Sequence, residues 1–292
     1  MTDPLDALRM PITPADPDRA FAEALRTRLR RALLDPRGDL TMTGTSTPQP
    51  TPVRTQGQLG YVSLWVPDAD ATAELMSAAL GWTYTGSGRG HRLVAGATPH
   101  HGIVDLATLP AGLWDDWPRH ATLSTSHAVA DVDAAVERVR AAGGRAGEPT
   151  EEPFGRAASC LDDQGMPFGI YQDGGAAAQA PARPGGLAYI TIEVADSARA
   201  RAFFGAVLGW RFAAGPVPDA WMVEGVRPEI RLHGGHERAT IVPMYVVADV
   251  HAAAERVRER GGTATAPERR RLGTLSFCTD ATGTRFGLGD FG

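Results

Sequence analysis

An internal duplication limits the folds open to this chain more than any other property of its sequence. GYVSLWVPDADATAELMSAALGW at 60–82 aligns without a gap with AYITIEVADSARARAFFGAVLGW at 188–210. HAVADVDAAVERVRAAGGRAGEP at 127–149 aligns in the same way with YVVADVHAAAERVRERGGTATAP at 245–267. The offset falls from 128 to 118 residues between the two alignments, which places about ten extra residues of the first copy around 109–118. A repeat of this kind indicates one structural unit written twice.

The end of each copy carries a second shared motif. DDQGMPFGIY at 162–171 and DATGTRFGLG at 280–289 both read Asp, two residues, Gly, two residues, Phe-Gly and a branched aliphatic residue. Cys160 and Cys278 lie at the same offset of 118, so each occupies the equivalent place in its own copy. We expect two buried strand thiols rather than a disulfide or a redox pair.

Each copy has a readable order of elements. YVSLWV alternates its side chains with a period of two, which predicts a strand. Asp68 then caps a helix that ends at Gly81, and a second round has Asp131 as the cap of its helix. Further strands lead to the closing motif. The sequence therefore predicts an α+β fold built from two tandem βαβββ modules.

Composition shifts divide the chain into five parts. We predict an N-terminal extension with an amphipathic helix at 1–40, a Thr- and Pro-rich linker at 41–56, module 1 at 57–173, a linker at 174–184 and module 2 at 185–292. The N-terminal helix carries one apolar face and one arginine-rich face. It is expected either to dock on the body or on the second subunit of a homodimer, or to offer a basic patch to an acidic partner.

Bulk properties exclude several classes of function. The net charge of −5 argues against a nucleic-acid partner, which requires a basic surface. No apolar run approaches the length needed to cross a bilayer, so no membrane association is expected. The N-terminus, MTDPLDALRM, contains acidic residues and lacks an apolar core, so it does not resemble a signal peptide. These properties favour the cytoplasm.

The repeated strand and helix, with the DVDAAVERVR helix and the closing motif, resemble the vicinal oxygen chelate superfamily. This superfamily includes glyoxalase I, bleomycin-resistance and extradiol dioxygenase proteins. The resemblance covers residues 57–292. It implies paired modules, each of which curls a mixed sheet around a cavity and keeps its helices outside.

The resemblance also implies where metal-dependent members hold their cation. They have a His at the start of the first strand, a Glu just after the Phe of the closing motif, and often a His on the middle strand. The matching residues in modules 1 and 2 are Tyr61 and Tyr189, Gly169 and Gly287, and Ser124 and Val242. A divalent cation needs three or four N, O or S donors that converge. We therefore expect no metal and no other cofactor.

A displaced metal site is the alternative at this point. His101 shares a strand face with Asp105, and Glu229, Arg231 and His233 share another. Adjacent residues on a strand point to opposite faces, so His100 and His101 cannot chelate one ion together. His127 lies on the face expected under a helix and is interpreted as structural.

Alternation identifies the residues that face each cavity. Those on the concave side are Tyr61, Ser63, Trp65, Gly169 and Tyr171 in module 1, and Tyr189, Thr191, Glu193, Gly287 and Gly289 in module 2. Glycine in a strand often makes room for something to approach closely, which predicts that these glycines clear volume for a ligand. The alternative is that these residues fill the cup as core.

Glu193 is the acid predicted to face a cavity. Glu193 could act as the general base, and Tyr189 as the general acid, in metal-free proton transfer. Alternatively, Glu193 could form a salt bridge with Arg227 or Arg231. Trp114 and Trp117 lie in the module 1 insertion and are expected to form a lid or an interface patch.

The sequence thus favours a metal-independent protein that binds a small organic molecule, in the manner that the bleomycin-resistance members imply by sequestering a drug or secondary metabolite. A metal-free isomerase, lyase or hydroxylase that uses Glu193 and Tyr189 is the second hypothesis. A metal-dependent lyase or dioxygenase with displaced ligands is the third.

Overall fold

The computed structural model describes residues 56–88, 90–109, 120–152, 154–172 and 182–291. The predictions for the N-terminal helix, for Trp114 and Trp117, and for most of both linkers lie outside these residues. The described residues all belong to one compact unit.

Each module supplies nine strands and two helices to this part of the chain. Those of module 1 are β1 Leu59–Val66, α1 Ala69–Leu80, β2 Tyr84–Gly88, β3 His91–Val94, β4 His100–Asp105, β5 Thr122–Val129, α2 Val132–Ala141, β6 Arg145–Ala146, β7 Thr150–Glu152, β8 Gly155–Leu161 and β9 Pro167–Gln172. Those of module 2 are β10 Leu187–Glu193, α3 Ser197–Leu208, β11 Phe212–Ala214, β12 Ala220–Val223, β13 Glu229–His233, β14 Thr240–Val246, α4 Val250–Glu259, β15 Thr263–Ala264, β16 Glu268–Arg270, β17 Gly273–Thr279 and β18 Arg285–Asp290.

The strands form two mixed sheets of the same topology. Their orders are β2-β3-β4-β1-β5-β9-β8-β6 and β11-β12-β13-β10-β14-β18-β17-β15, with β7 paired to β8 and β16 paired to β17. In each sheet the first and fifth strands are antiparallel, and each of them also has a parallel partner. The two tandem modules are confirmed. Each one contains a βαβββ unit, followed by a second strand and helix that lead into four further strands, and the two parts are joined at this antiparallel pair.

The helices cover one face of each sheet, as the alternation predicts. Val62, Leu64 and Val66 are fully buried on the helix side of β1, and Ile190 and Ile192 are buried on that of β10. Each helix begins after an aspartate whose carboxylate accepts hydrogen bonds from backbone amides of the first turn; these residues are Asp68, Asp131, Asp196 and Asp249. In the part of the chain that the structure describes, none of the helices has the length and apolar character required to span a membrane.

The two modules meet through matching contacts at two junctions. The indole Nε1 of Trp82 donates to the carbonyl of Gly185 at 2.7 Å, and that of Trp210 donates to the carbonyl of Gly57 at 3.0 Å. Helix α1 packs against α4, and α2 packs against α3. Cys160 and Cys278 are free and buried, as predicted.

Candidate functional site

The concave face of module 1 is lined by hydroxyl and aromatic side chains. Tyr61 pairs with His100 on one side and with Ser126 on the other, and Ser126 pairs with Gly169. The register thus places Ser126, rather than Ser124, in the row between Tyr61 and Gly169. Spacing along the chain could not show this, because cross-strand register is set by tertiary pairing.

The glycines of module 1 receive the side chains of their neighbours. A Cβ at Gly102 would lie 2.2 Å from the Tyr61 hydroxyl, and one at Gly169 would lie 2.5 Å from Ser126 Oγ. The space beside Gly169 is therefore taken by Ser126. The role of this glycine in ligand binding stays a prediction.

Ser63 lies beneath this row with an unused polar atom. The residue is 2% exposed, and its Oγ is buried with no hydrogen-bond partner among the described residues. The Tyr61 hydroxyl lies close to it: burial raises the pKa of Tyr61, and the interaction with the Ser63 hydroxyl partly offsets that rise. Trp65 and Tyr171, which alternation also assigns to the concave side, are buried as well.

The concave face of module 2 is filled by its own side chains. A Cβ at Gly287 would lie 2.3 Å from Met244 Cε, and one at Gly289 would lie 2.4 Å from the ring of Phe291. Tyr189, Met244 and Leu275 form a separate apolar cluster. The space directly beside Gly287 and Gly289 is thus taken by neighbouring side chains, as the alternative of a cup filled as core expects.

Tyr189 and Glu193 have different charged partners. The Arg231 guanidinium lies 3.6 Å from the centre of the Tyr189 ring and also pairs with Glu229. Glu193, whose side chain is 11% exposed, accepts two hydrogen bonds from Arg285 at 2.6 and 3.0 Å. The predicted salt bridge exists, but its partner is Arg285 instead of Arg227 or Arg231.

Two histidines extend the Glu193 contact. His236 Nδ1 lies 3.5 Å from Glu193 Oε2, and His236 Nε2 lies 2.7 Å from His233 Nδ1. Thr191 lies two residues before Glu193 on β10 and is partly exposed. Arg285 is not among the residues predicted for the site, although the alternation that places Gly287 and Gly289 on the concave side places Arg285 there too.

The residues at the metal positions implied by the resemblance do not fit a divalent cation. The register puts Met244 between Tyr189 and Gly287, in place of Val242. The row in module 1 therefore offers a phenol, a serine hydroxyl and a glycine without a side chain, and the row in module 2 offers a phenol, a thioether and a glycine. Neither row has a carboxylate or an imidazole at the expected positions. Within the described ranges, no three His, Cys, Asp or Glu side chains form a cluster suited to a metal.

The displaced-site candidates do not converge either. His101 is buried, with Nδ1 3.0 Å from the Pro99 carbonyl, while the Asp105 carboxylate accepts from the amide of Ala107. His127 packs edge-on against Trp210, with ring centres 5.1 Å apart, as expected of a structural residue.

Comparison with known proteins identifies both halves. The model of the glyoxalase/bleomycin resistance protein/dioxygenase superfamily matches residues 58–170, and that of a glyoxalase-like domain matches residues 189–289. No curated protein sequence matches the chain.

Solved structures share this fold at low identity. The Mn(II)-bound glyoxalase from Novosphingobium aromaticivorans is 18% identical, with a TM-score of 0.59 over 81% of this chain and 85% of that one. The 2,2',3-trihydroxybiphenyl 1,2-dioxygenase from Sphingomonas wittichii strain RW1 is 17% identical, with a TM-score of 0.58 over 81% and 91%. At such identities the likeness concerns the fold alone. From the two family matches and the two-module architecture, we conclude that the chain belongs to the vicinal oxygen chelate superfamily, with one glyoxalase-like module in each half.

Proposed function

We propose that the protein binds a small organic molecule on the concave face of module 1, without a catalytic metal. The observation that carries the proposal is the buried Ser63 Oγ. Buried polar atoms are rarely left without a partner, and a ligand seated over Ser63 would supply one. The donor set at the family's metal positions supports the metal-independent part, because it lacks carboxylate and imidazole groups.

The lining indicates the chemistry of the ligand. Tyr61 offers a partly exposed aromatic ring, and Ser124 and Ser126 add partly exposed hydroxyls. Flat molecules with a few hydrogen-bonding groups suit such a surface. The protein would therefore sequester an aromatic drug or secondary metabolite, while module 2, filled by its own side chains, would act as a structural counterpart.

A thermal-shift screen against aromatic antibiotics and metabolites tests this function. We expect at least one compound to raise the melting temperature, and Ser63→Ala to weaken its binding about three- to tenfold through the lost hydrogen bond. Thr191→Ala is the matched control, because Thr191 holds the position of Ser63 in module 2. Equal weakening by both variants would contradict the assignment to module 1. Elemental analysis that finds stoichiometric Zn, Ni, Fe or Mn would contradict metal independence.

A metal-free isomerase, lyase or hydroxylase is the second candidate, and one observation favours it. The carboxylate of Glu193 and the imidazoles of His236 and His233 follow one another within 3.5 and 2.7 Å. A carboxylate followed by two imidazoles at these distances can relay a proton towards His233. Glu193 would then orient the histidines, in place of acting as a base with Tyr189 as the acid.

The variant Glu193→Gln separates the two candidates. Each compound found in the screen is incubated with the protein, and its conversion is followed by mass spectrometry. Conversion by the wild type that is lost in Glu193→Gln at unchanged affinity would establish the enzyme. A compound that binds the wild type and Glu193→Gln equally and is not converted by either would support the binding function and contradict the enzyme.

A further inference from the structure

A cavity of about 360 Å³ lies outside both cups, at the junction between β3, β4 and the start of module 2. Its lining includes Leu80, Trp82, Gly96, Thr98, His101 and Gly186. The volume falls within the range of small-molecule sites. Because the chain is duplicated, the second junction shows what fills the equivalent space there.

The backbone establishes that Gln58 and Gly186 are equivalent. The carbonyl of Gln58 accepts from the amide of Ala128, and that of Gly186 accepts from the amide of Val246, both at 2.9 Å. Each residue follows the glycine that receives the tryptophan hydrogen bond at its junction.

The Gln58 side chain fills its own junction with a carboxamide. Its Nε2 donates to the carbonyl of Gly225 at 2.7 Å, and its Oε1 accepts from the amide of Arg227 at 3.2 Å. One planar group thus satisfies a backbone acceptor and a backbone donor two residues apart.

The first junction keeps the backbone but lacks that side chain. Gly96 and Thr98 are the counterparts of Gly225 and Arg227, and the two glycines have nearly the same φ, 67° and 74°. Both Gly96 and Thr98 line the cavity, and Gly186 has no side chain to offer them.

A second exchange adds an acceptor to the same cavity. Val62 pairs with His101 in the way that Ile190 pairs with Ile230, so His101 replaces an apolar residue. His101 is 2% exposed, and its Nδ1 lies 3.0 Å from the Pro99 carbonyl. A carbonyl only accepts, so Nδ1 carries the hydrogen of this neutral imidazole. Nε2 is then a buried acceptor without a partner among the described residues.

We propose that the junction cavity binds a small molecule that carries a primary carboxamide on a flat apolar group. The carboxamide takes the place of the Gln58 side chain, accepts from the Thr98 amide and donates to the Gly96 carbonyl. His101 Nε2 accepts a further hydrogen from the ligand. Leu80 and Trp82 contact its apolar part. This site is separate from the cup of module 1, so either proposal can fail alone.

Titration with benzamide, followed by the indole signals in ¹⁵N–¹H NMR spectra, tests the proposal. We expect the Trp82 signal to shift saturably, because its indole donates to Gly185 beside the cavity. The Trp210 signal serves as the internal control and stays in place. Benzoate, which cannot donate to the Gly96 carbonyl, should bind at least tenfold more weakly. The absence of a Trp82 shift, or equal binding of benzoate, would overturn the proposal.

Two variants test whether benzamide binds in the junction cavity. Gly186→Gln restores the side chain of the other junction and should abolish the Trp82 shift. A Cβ at residue 186 would lie 2.9 Å from the Arg183 carbonyl, so this variant could shift the backbone. His101→Ile therefore serves as a second variant. It installs the residue found at the other junction and should weaken benzamide binding about tenfold. Gln58→Ala changes only the other junction and should leave the benzamide-induced shift of the Trp82 signal unchanged. Benzamide affinity that survives in both Gly186→Gln and His101→Ile would refute the site.

Discussion

Two buried histidines act as neutral residues in the contact between the modules. His127 Nε2 lies 3.0 Å from Thr125 Oγ1, and its ring meets Trp210. His101 meets Trp82 in a similar edge-on contact, with ring centres 5.4 Å apart. Burial lowers the pKa of each imidazole to about 4, because the charged form would lose its hydration.

This shift predicts that the free energy of unfolding falls in mild acid. The unfolded chain binds a proton on each histidine near pH 6.5, whereas the folded chain binds it only near pH 4, so unfolding takes up protons in this window. Each histidine contributes up to about 1.4 kcal/mol per pH unit. His127→Phe should therefore flatten the loss of stability between pH 7 and pH 5, as measured by urea unfolding.

The comparison between variant and wild type isolates this contribution. Burial raises the pKa of Asp162 to about 6, which acts in the opposite direction but is present in both proteins. If the two proteins lose the same free energy of unfolding between pH 7 and pH 5, His127 is not buried in its neutral form.

At the level of elements, the closing strands β9 and β18 show why glycine follows phenylalanine twice. Phe168 and Phe286 are buried beneath the helices, so the next residue faces the cup. In β18, Gly287 lies against the end of the Met244 side chain, which belongs to the neighbouring strand β14. The glycine thus serves the packing between adjacent strands.

A double-mutant cycle tests this packing. Gly287→Ala should cost about 1–3 kcal/mol in the wild type, because its Cβ displaces the Met244 thioether. In a Met244→Ala background, the same change fills part of the cavity that is left and should be neutral or stabilising. Unfolding in urea of the four proteins measures the coupling. Equal effects of Gly287→Ala in both backgrounds would show that the two residues do not compete for space.

These elements also show how far sequence reasoning reaches. Alternation along β1 and β10 predicts which residues face the helices, because the pleat alone fixes it. It identifies Glu193 as a concave residue but not its partner Arg285, since the pairing of long charged side chains depends on tertiary geometry. It cannot show that Met244 bends over Gly287, because flexible side chains choose among several gaps only when the strands are assembled.

At the level of the whole molecule, the duplication pairs each contact with a counterpart, and the differences between them are informative. The Asp280 Oδ2 in the closing turn of module 2 accepts from the Thr72 hydroxyl on α1 at 2.7 Å, which joins the two modules. Asp162 holds the matching place in module 1, and Ala200 on α3 holds the place of Thr72. Asp162 Oδ2 is accordingly buried without a hydrogen-bond partner among the described residues.

Reciprocal substitutions at these two places should change stability in opposite directions. Thr72→Val keeps the shape of the side chain but removes the donor, so it should lower the free energy of unfolding by about 1–3 kcal/mol. Ala200→Ser supplies the donor that Asp162 lacks and should raise it by up to about 1 kcal/mol, after the small cost of serine in a helix. Urea unfolding at pH 7 measures both, since the Asp162 carboxyl is mostly ionised there and gains most from a donor. A Thr72→Val protein as stable as the wild type would mean that the bond between the modules contributes nothing.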